Sequence, residues 1–396
     1  MYSSDEPTST TASSACSISR PSSASSAPPR DAAKSLPVGA PSTPLFEVRD
    51  TATAGRAVFA SQLIPEDTLL WRSDDLTLSV LLREYRREVC GQCFIYDYGR
   101  DLSIRDQSVG FAFCSTECQD AWRSWNGEVG VTAWTAVETL VKKRSREDDE
   151  TVEEGLPRPS RNAITKAWAD VEAQASLIRA LREAEQFKTS SACADTTEGA
   201  EPVQITKQHR KASSKALQQK ISPDIMAFIV SGIVCHHNNP QDWPKVLALA
   251  DDQTPYHSAD DLAAFVRSYL HLLAILPVSL LSSLTPEIVF LLSSRDSHNS
   301  FGIRSLEDDG SEFFGYGCWP AASYFNHSCG PNIEKKRVGR VWEFRAGSDI
   351  EVGEELNITY LSGEERKLSR GKRRETLKKN WGFHCACARP ASVNKF

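Results

Sequence analysis

The sequence has no run of 18 apolar residues, so it offers no transmembrane helix. Its longest apolar stretch, around Leu270 to Leu284, is broken by Pro277 and by serines. The N-terminal region has no apolar segment of the kind a secretory signal needs. Basic charge is not in excess: 46 Lys and Arg stand against 52 Asp and Glu, a net charge of −6. That balance argues against a nucleic-acid footprint, and no direct nucleic-acid binding is expected. No internal repeat is visible. What is present is 396 residues, 40% hydrophobic and 25% charged, enough for two or more domains and a sizeable core. Eleven cysteines without an export signal point to metal binding or buried thiols in a reducing compartment rather than disulfides.

Residues 1–42 are rich in Ser, Ala and Pro and poor in apolar residues, which predicts a disordered tail. Phe46–Val48 and Ala57–Phe59 read as short strands around a turn at Gly55. Leu69–Trp71 and Leu76–Leu82 continue the strand pattern. A cysteine-bearing insert follows over 90–126. Residues 142–162 read as a charged loop. Ile164, Trp168, Val171, Ala175, Ile178 and Leu181 fall at helical spacing and predict a helix over Ala163–Phe187. Residues 188–207 are polar and loop-like. Residues 215–285 read as helical, with Ile225, Phe228, Ile229 and Ile233 one instance of the spacing. From Gly315 onward short strands return.

Three short motifs then arrive within 68 residues: Ser323-Tyr324-Phe325-Asn326-His327-Ser328-Cys329, the Gly353-to-Tyr360 run GEELNITY, and WGFHCAC from Trp381 to Cys387. Upstream, Cys90-x2-Cys93 is followed after 20 residues by Cys114-x3-Cys118. Two close cysteine pairs supply four thiolates, the donor set of tetrahedral zinc. Singly, each of the three C-terminal motifs is weak. Asn326-His327-Ser328 is also a glycosylation sequon, and a strand tyrosine is more often core than catalytic.

In order, these motifs resemble the catalytic half of a SET-domain lysine methyltransferase, in the SMYD-like branch that carries a MYND zinc finger inserted in the SET domain. The resemblance covers most of residues 45–390. It implies an α+β fold: small antiparallel sheets with a pseudoknot, an exception to unknotted topology, plus a zinc-finger-like insert and a helical insert. The segments it suggests are 1–42 tail, 43–89 N-terminal SET, 90–126 degenerate MYND-like finger, 127–214 helical insert with disordered loops, 215–297 helical SET insert, 298–363 C-terminal SET core and 364–396 post-SET.

The implied reaction moves a methyl group from S-adenosylmethionine to a lysine amine of a histone or another protein. A free lysine has a pKa near 10.4, so deprotonating it at pH 7 costs roughly 4.6 kcal/mol. A dry aromatic channel lowers that cost by disfavouring the cation, and alignment with the methyl donor recovers more. By resemblance Tyr360 is the catalytic tyrosine, which also faces the cofactor. Asn326 and His327 contact the cofactor, with Asn299, Ser323, Phe325, Gly55 and Arg56 in the same pocket. Trp381 and Phe383 close over it. The family's first motif carries a Gly-x-Gly turn, whereas this chain has Gly55-Arg56-Ala57. Alanine tolerates left-handed backbone poorly, which predicts an altered turn.

Phe113-Cys114-Ser115-Thr116-Glu117-Cys118-Gln119 is similar to part of a MYND finger. A full finger binds two zincs. Here the ligands of one are present, Cys90, Cys93, Cys114 and Cys118, so one zinc is expected. Cys329, Cys385 and Cys387 match the family's second zinc site, but Pro390 stands where its last cysteine is expected. The fourth ligand is then His384, another residue or water, and the site is incomplete. Cys16, Cys193, Cys235, Cys318 and His236-His237 have no partner spacing. Two rival readings remain: a non-catalytic scaffold that binds a protein partner, favoured by the altered turn and eroded zinc sites, and a zinc-finger nucleic-acid binder. A monomer acting on a lysine-bearing protein segment, in nucleus or cytoplasm, is the expectation.

Overall fold

The structure is a computed structural model that describes residues 36–52, 55–143, 156–191, 204–306 and 312–387. The tail expected over 1–42 lies outside the described residues up to position 35. From Pro37 the chain belongs to one compact unit. There Pro41 is buried and the Val38 carbonyl accepts from the Tyr324 hydroxyl at 3.4 Å, so folded sequence begins earlier than composition suggested.

Strands β1 (Phe46–Thr51) and β2 (Gly55–Ala60) form an antiparallel hairpin with Val48 opposite Val58. Strands β3 (Leu69–Ser73) and β4 (Leu78–Leu81) then enter two different sheets. A small hairpin, β5 (Ile104–Asp106) and β6 (Phe111–Phe113), belongs to the cysteine-bearing insert. Helix α1 (Thr116–Lys143) follows at once and breaks at Gly127, whose φ of 63° suits a residue without a side chain. The break falls where the insert was expected to end.

The helical layer is α2 (Arg161–Ser191), α3 (Lys207–Leu217), α4 (Pro223–Asn238), α5 (Trp243–Leu247), α6 (Ala259–Ile275) and α7 (Pro286–Asn299). Local chemistry sets several of their ends. Ser258 accepts from the Asp261 N–H to cap α6, and Thr285 accepts from the Ile288 N–H to cap α7 ahead of Pro286. Helix α4 lies at the centre: Met226, Phe228, Ile229, Val230 and Ile233 are all fully buried. It is apolar around its circumference because it packs on α1, α6, α7 and β4.

The chain then returns to strands: β7 (Ser300–Arg304), β8 (Phe313–Cys318), β9 (Asn326–His327), β10 (Ile333–Val338), β11 (Val341–Ala346) and β12 (Asn357–Ile358). These complete the sheets the N-terminal strands began, in the orders β4-β8-β7 and β10-β11-β3. Trp342 sits opposite Ser73, and Phe344 opposite Trp71. Gly315 makes the β4–β8 approach possible, since a Cβ there would lie 2.0 Å from the Val80 carbonyl oxygen. Two short helices, α8 (Gly363–Lys367) and α9 (Arg370–Trp381), close the described chain. The architecture is α+β with small antiparallel sheets, as expected. The pair β9–β12 is the exception, being parallel.

Candidate functional site

Parallel pairing of β9 with β12 sets Asn326 beside Asn357 and His327 beside Ile358. This joins the first motif to the second. Asn332 locks the junction: its amide donates to the Glu355 carbonyl at 2.9 Å, and its Oδ1 accepts from the Asn357 N–H at 2.9 Å. The GEEL run in turn laces onto β2, where Ala60 N–H donates to the Glu354 carbonyl and Leu356 N–H to the Val58 carbonyl. The Asn326 amide bridges both neighbours, donating to the Arg56 carbonyl and to Glu355 Oε1, each at 3.1 Å. Gly55-Arg56, Asn326-His327 and Glu355 to Tyr360 are thus one wall.

Ala57 on this wall is fully buried in β2, opposite Arg49, and is not among the residues with positive φ. Gly55 alone adopts the left-handed region there, at φ 70°. The altered turn expected from Gly55-Arg56-Ala57 therefore carries no backbone strain at Ala57. The Arg56 guanidinium donates to the Tyr324 hydroxyl at 2.8 Å and lies over that ring at 4.6 Å. It also donates to the Ala248 carbonyl. Asn299 is buried, its amide donating to the Ala250 and Arg295 carbonyls at 2.9 and 2.6 Å. Ser323 Oγ donates to the Asn299 carbonyl at 2.9 Å. Phe325 is a core residue, stacked on Phe344 at 4.8 Å and edge-on to Phe46. Only its backbone reaches the site: its carbonyl accepts from the Tyr360 hydroxyl at 3.1 Å.

Tyr360 is ringed by aromatics. Its centroid is 5.3 Å from that of His327, 5.5 Å from Trp381 and 6.2 Å from Phe383. Ser369 caps the start of α9 and Gly382, at φ 75°, ends it, so that Trp381 and Phe383 both turn toward Tyr360. The C-terminal segment is held by a small separate core of Cys329, Leu361, Leu377 and Cys385. Burial, with Glu355 nearby, raises the Tyr360 phenol above its ordinary range, so it stays protonated at neutral pH.

The second feature is a cleft of about 690 Å³ that Tyr360 and Trp381 share with Tyr316, Trp342 and Lys335. Lys335, Trp342 and Tyr316 were not foreseen from sequence, because each sits in an ordinary strand pattern. The one hint was Lys335-Lys336-Arg337, three cations in a row inside a strand-like segment.

The sulfur atoms of Cys90, Cys93, Cys114 and Cys118 all lie within 4.8 Å of one another. Cys114 is 3.5 Å from both Cys93 and Cys118. Tetrahedral zinc, with Zn–S near 2.3 Å, spaces its sulfurs about 3.8 Å apart. The cluster fits that metal. The Cys93 thiol and surrounding backbone N–H groups hold the Cys90 thiol below its ordinary range. The knuckle docks on the β10–β11 hairpin: Arg340 donates to the Gln92 carbonyl at 3.1 Å and lies over the Phe94 ring.

Cys329, Cys385 and Cys387 also converge. The first two sulfurs are 3.9 Å apart, and Cys387 Sγ accepts from the Cys329 N–H at 3.4 Å. His327 Nε2 lies 3.4 Å from Cys329 Sγ, which makes it a geometric neighbour of any metal there. Its Nδ1 accepts from the Tyr360 N–H, so a neutral His327 carries its proton on Nε2. That nitrogen is then a donor to sulfur, not a ligand. Burial, with Lys335 and Arg373 beside it, pushes His327 down to about 4 and keeps the ring neutral.

A family model described as the SET domain matches residues 55–361. A potential protein lysine methyltransferase, SET6, of Saccharomyces cerevisiae is 24% identical over 375 residues, 88% of this chain and 95% of the relative. A SET and MYND domain-containing protein of Dictyostelium discoideum is 40% identical over 96 residues, 24% of this chain and 22% of its own length. The histone-lysine N-methyltransferase SMYD3 of Homo sapiens is 38% identical over 97 residues, 24% of this chain and 21% of the relative. With the family model spanning most of the chain and the three motifs gathered on one wall, the chain belongs to the SET-domain family.

Proposed function

We propose that this chain is an S-adenosylmethionine-dependent protein-lysine N-methyltransferase. One observation carries the reading: Tyr360 stands where the Asn326-His327 wall meets an aromatic cleft, its hydroxyl fixed on the Phe325 carbonyl. The names of the yeast and human relatives point the same way.

Bound S-adenosylmethionine would supply an electrophilic methyl group. Asn326 suits its amino-acid end, because both amide hydrogens are committed to Arg56 and Glu355 and Oδ1 is left to accept from an ammonium. Trp381 and Phe383 offer flat apolar faces for a base. Arg56, Asn299 and Ser323 hold neighbouring backbone in place, so their part is to support this wall rather than to react.

Tyr360 acts by position. A protonated phenol that donates to the Phe325 carbonyl presents an oxygen lone pair to an incoming amine. It orients the amine and takes no proton. Trp342, Tyr316 and Trp381 line the approach and disfavour the ammonium form, which lowers the cost of deprotonating the target. Zinc held by Cys90, Cys93, Cys114 and Cys118 would be structural, tying the insert to the β10–β11 hairpin.

Of the two features that favour a scaffold, the altered turn carries no backbone strain at Ala57, and the eroded zinc sites stand. Calorimetric titration with S-adenosylmethionine tests the proposal. Micromolar binding that weakens at least tenfold in Asn326→Ala is expected. No binding by folded, zinc-loaded protein would sink it.

A further inference from the structure

The two adjacent acids of the GEEL run are placed differently. Glu354 is exposed and engaged: its Oε1 accepts from the Asn332 amide at 3.0 Å and its Oε2 from the Glu351 N–H at 3.2 Å. Glu355 is half-buried on the wall itself, where it bridges to Phe59. Leu356 and Ile358 beside it are fully buried in the core. Alternation along the extended chain therefore turns the Glu355 side chain to the opposite face. Asn326 presents its amide on that face, and Glu355 Oε1 accepts from it at 3.1 Å.

This amide is a neutral donor. No lysine, arginine or histidine pairs with the Glu355 carboxylate among the described residues. Arg56 stands on the same wall, but its guanidinium goes to the Tyr324 hydroxyl and the Ala248 carbonyl. A half-buried carboxylate is thus fixed in place without a counter-charge. With both Asn326 amide hydrogens committed to Arg56 and Glu355, two acceptors are left, Asn326 Oδ1 and Glu355 Oε2. Neither receives a donor among the described residues, and the two belong to side chains already in contact. A primary ammonium, with three donors and one positive charge, complements that pair. Glu355 also acts on the reacting end of the wall, since after burial it is the charge that raises the Tyr360 phenol.

We propose that Glu355 is the counter-ion for the ammonium of the methyl donor, which its carboxylate and Asn326 Oδ1 receive together. The wall then selects a nucleoside with a cationic amino-acid end over a neutral one. This rests on the methyltransferase reading for the identity of the ligand, but not for the unpaired charge.

The test is calorimetric titration of the full, zinc-loaded chain and of Glu355→Gln. The ligands are S-adenosylmethionine, S-adenosylhomocysteine and 5′-methylthioadenosine, which keeps the base, ribose and thioether but has no amino-acid end. Glutamine retains an oxygen for the Asn326 amide, and melting of the ligand-free variant checks the fold. Glu355→Gln should lose about tenfold in affinity for the first two ligands, the scale of one charge-assisted hydrogen bond. Its affinity for methylthioadenosine should be unchanged, so the native preference for the amino-acid end shrinks. Unchanged affinity for S-adenosylmethionine in the variant overturns the inference and leaves the enzyme reading standing. So does an equal loss for all three ligands, which marks Glu355 as structural. If the variant melts below the native chain, the salt dependence of the native chain decides. Affinity that falls with salt for S-adenosylmethionine but not for methylthioadenosine supports the pairing, and equal dependence overturns it. Binding of none of the three by the native chain removes this inference and the enzyme reading together.

Discussion

The Tyr360 backbone N–H donates to Nδ1 of His327 at 3.0 Å. This one bond ties the second motif to the first and fixes a tautomer. With Nδ1 an acceptor, the Nε2 proton points at Cys329 Sγ, 3.4 Å away. The histidine is thereby excluded as a zinc ligand although it neighbours two cysteines. His327→Ala should leave zinc content unchanged by elemental analysis, while cofactor binding weakens. Loss of metal in that variant would show that the ring ligates.

Cys118→Ser should remove one zinc equivalent. A structural zinc site contributes on the order of 10 kcal/mol to the fold of its own module. Knuckle and hairpin should come apart, so hydrogen exchange should quicken at Phe94 and over β5–β6 while α4 stays protected. A chelator should do the same to the native chain. Full zinc content in Cys118→Ser would contradict the ligand set.

Asp296 gives a pH dependence with a definite sign. Burial raises its carboxyl to about 7 from an ordinary 3.8. Between those pH values the folded chain keeps a proton that the unfolded chain has released. Stability therefore falls as pH rises from about 4 to about 7, by at most about 4 kcal/mol. Asp296→Asn should melt higher than the native chain at pH near 8, with the gap closing toward pH near 4. A gap independent of pH would mean the carboxyl titrates normally.

Leu377 is fully buried in the small core under α9. Leu377→Ala should cost about 2–3 kcal/mol, the low end for a buried leucine, since so small a cluster relaxes easily. The loss should be local. Exchange over 363–387 should speed up, and that over α6 should not. Global unfolding instead would show that α9 is part of the main core.

The residues that announced the fold were contiguous runs. SYFNHSC, GEELNITY and WGFHCAC could be read because each packs several polar and aromatic roles into consecutive positions. Their meeting point could not. Asn332 locking Asn357, and β3 pairing with β11 some 270 residues away, follow from tertiary structure alone. The helices over 161–191 and 223–238 were visible as apolar periodicity, whereas the kink at Gly127 was not, because a lone glycine in a helical pattern does not reveal its φ. Phe325 and Asn299 look alike in sequence, as motif residues, yet one packs in the core and the other binds carbonyls. Lys335 and Trp342 carry no motif and gain their place only when β10 and β11 line the Tyr360 cleft.

The most direct test is labelled methyl transfer by the native chain and by Tyr360→Phe, on a lysine peptide that the chain binds, with cofactor affinity measured in parallel. Removing the hydroxyl from the Phe325 carbonyl should cut transfer at least about 100-fold and leave S-adenosylmethionine affinity nearly unchanged. Equal transfer by the two proteins would contradict the role given to Tyr360.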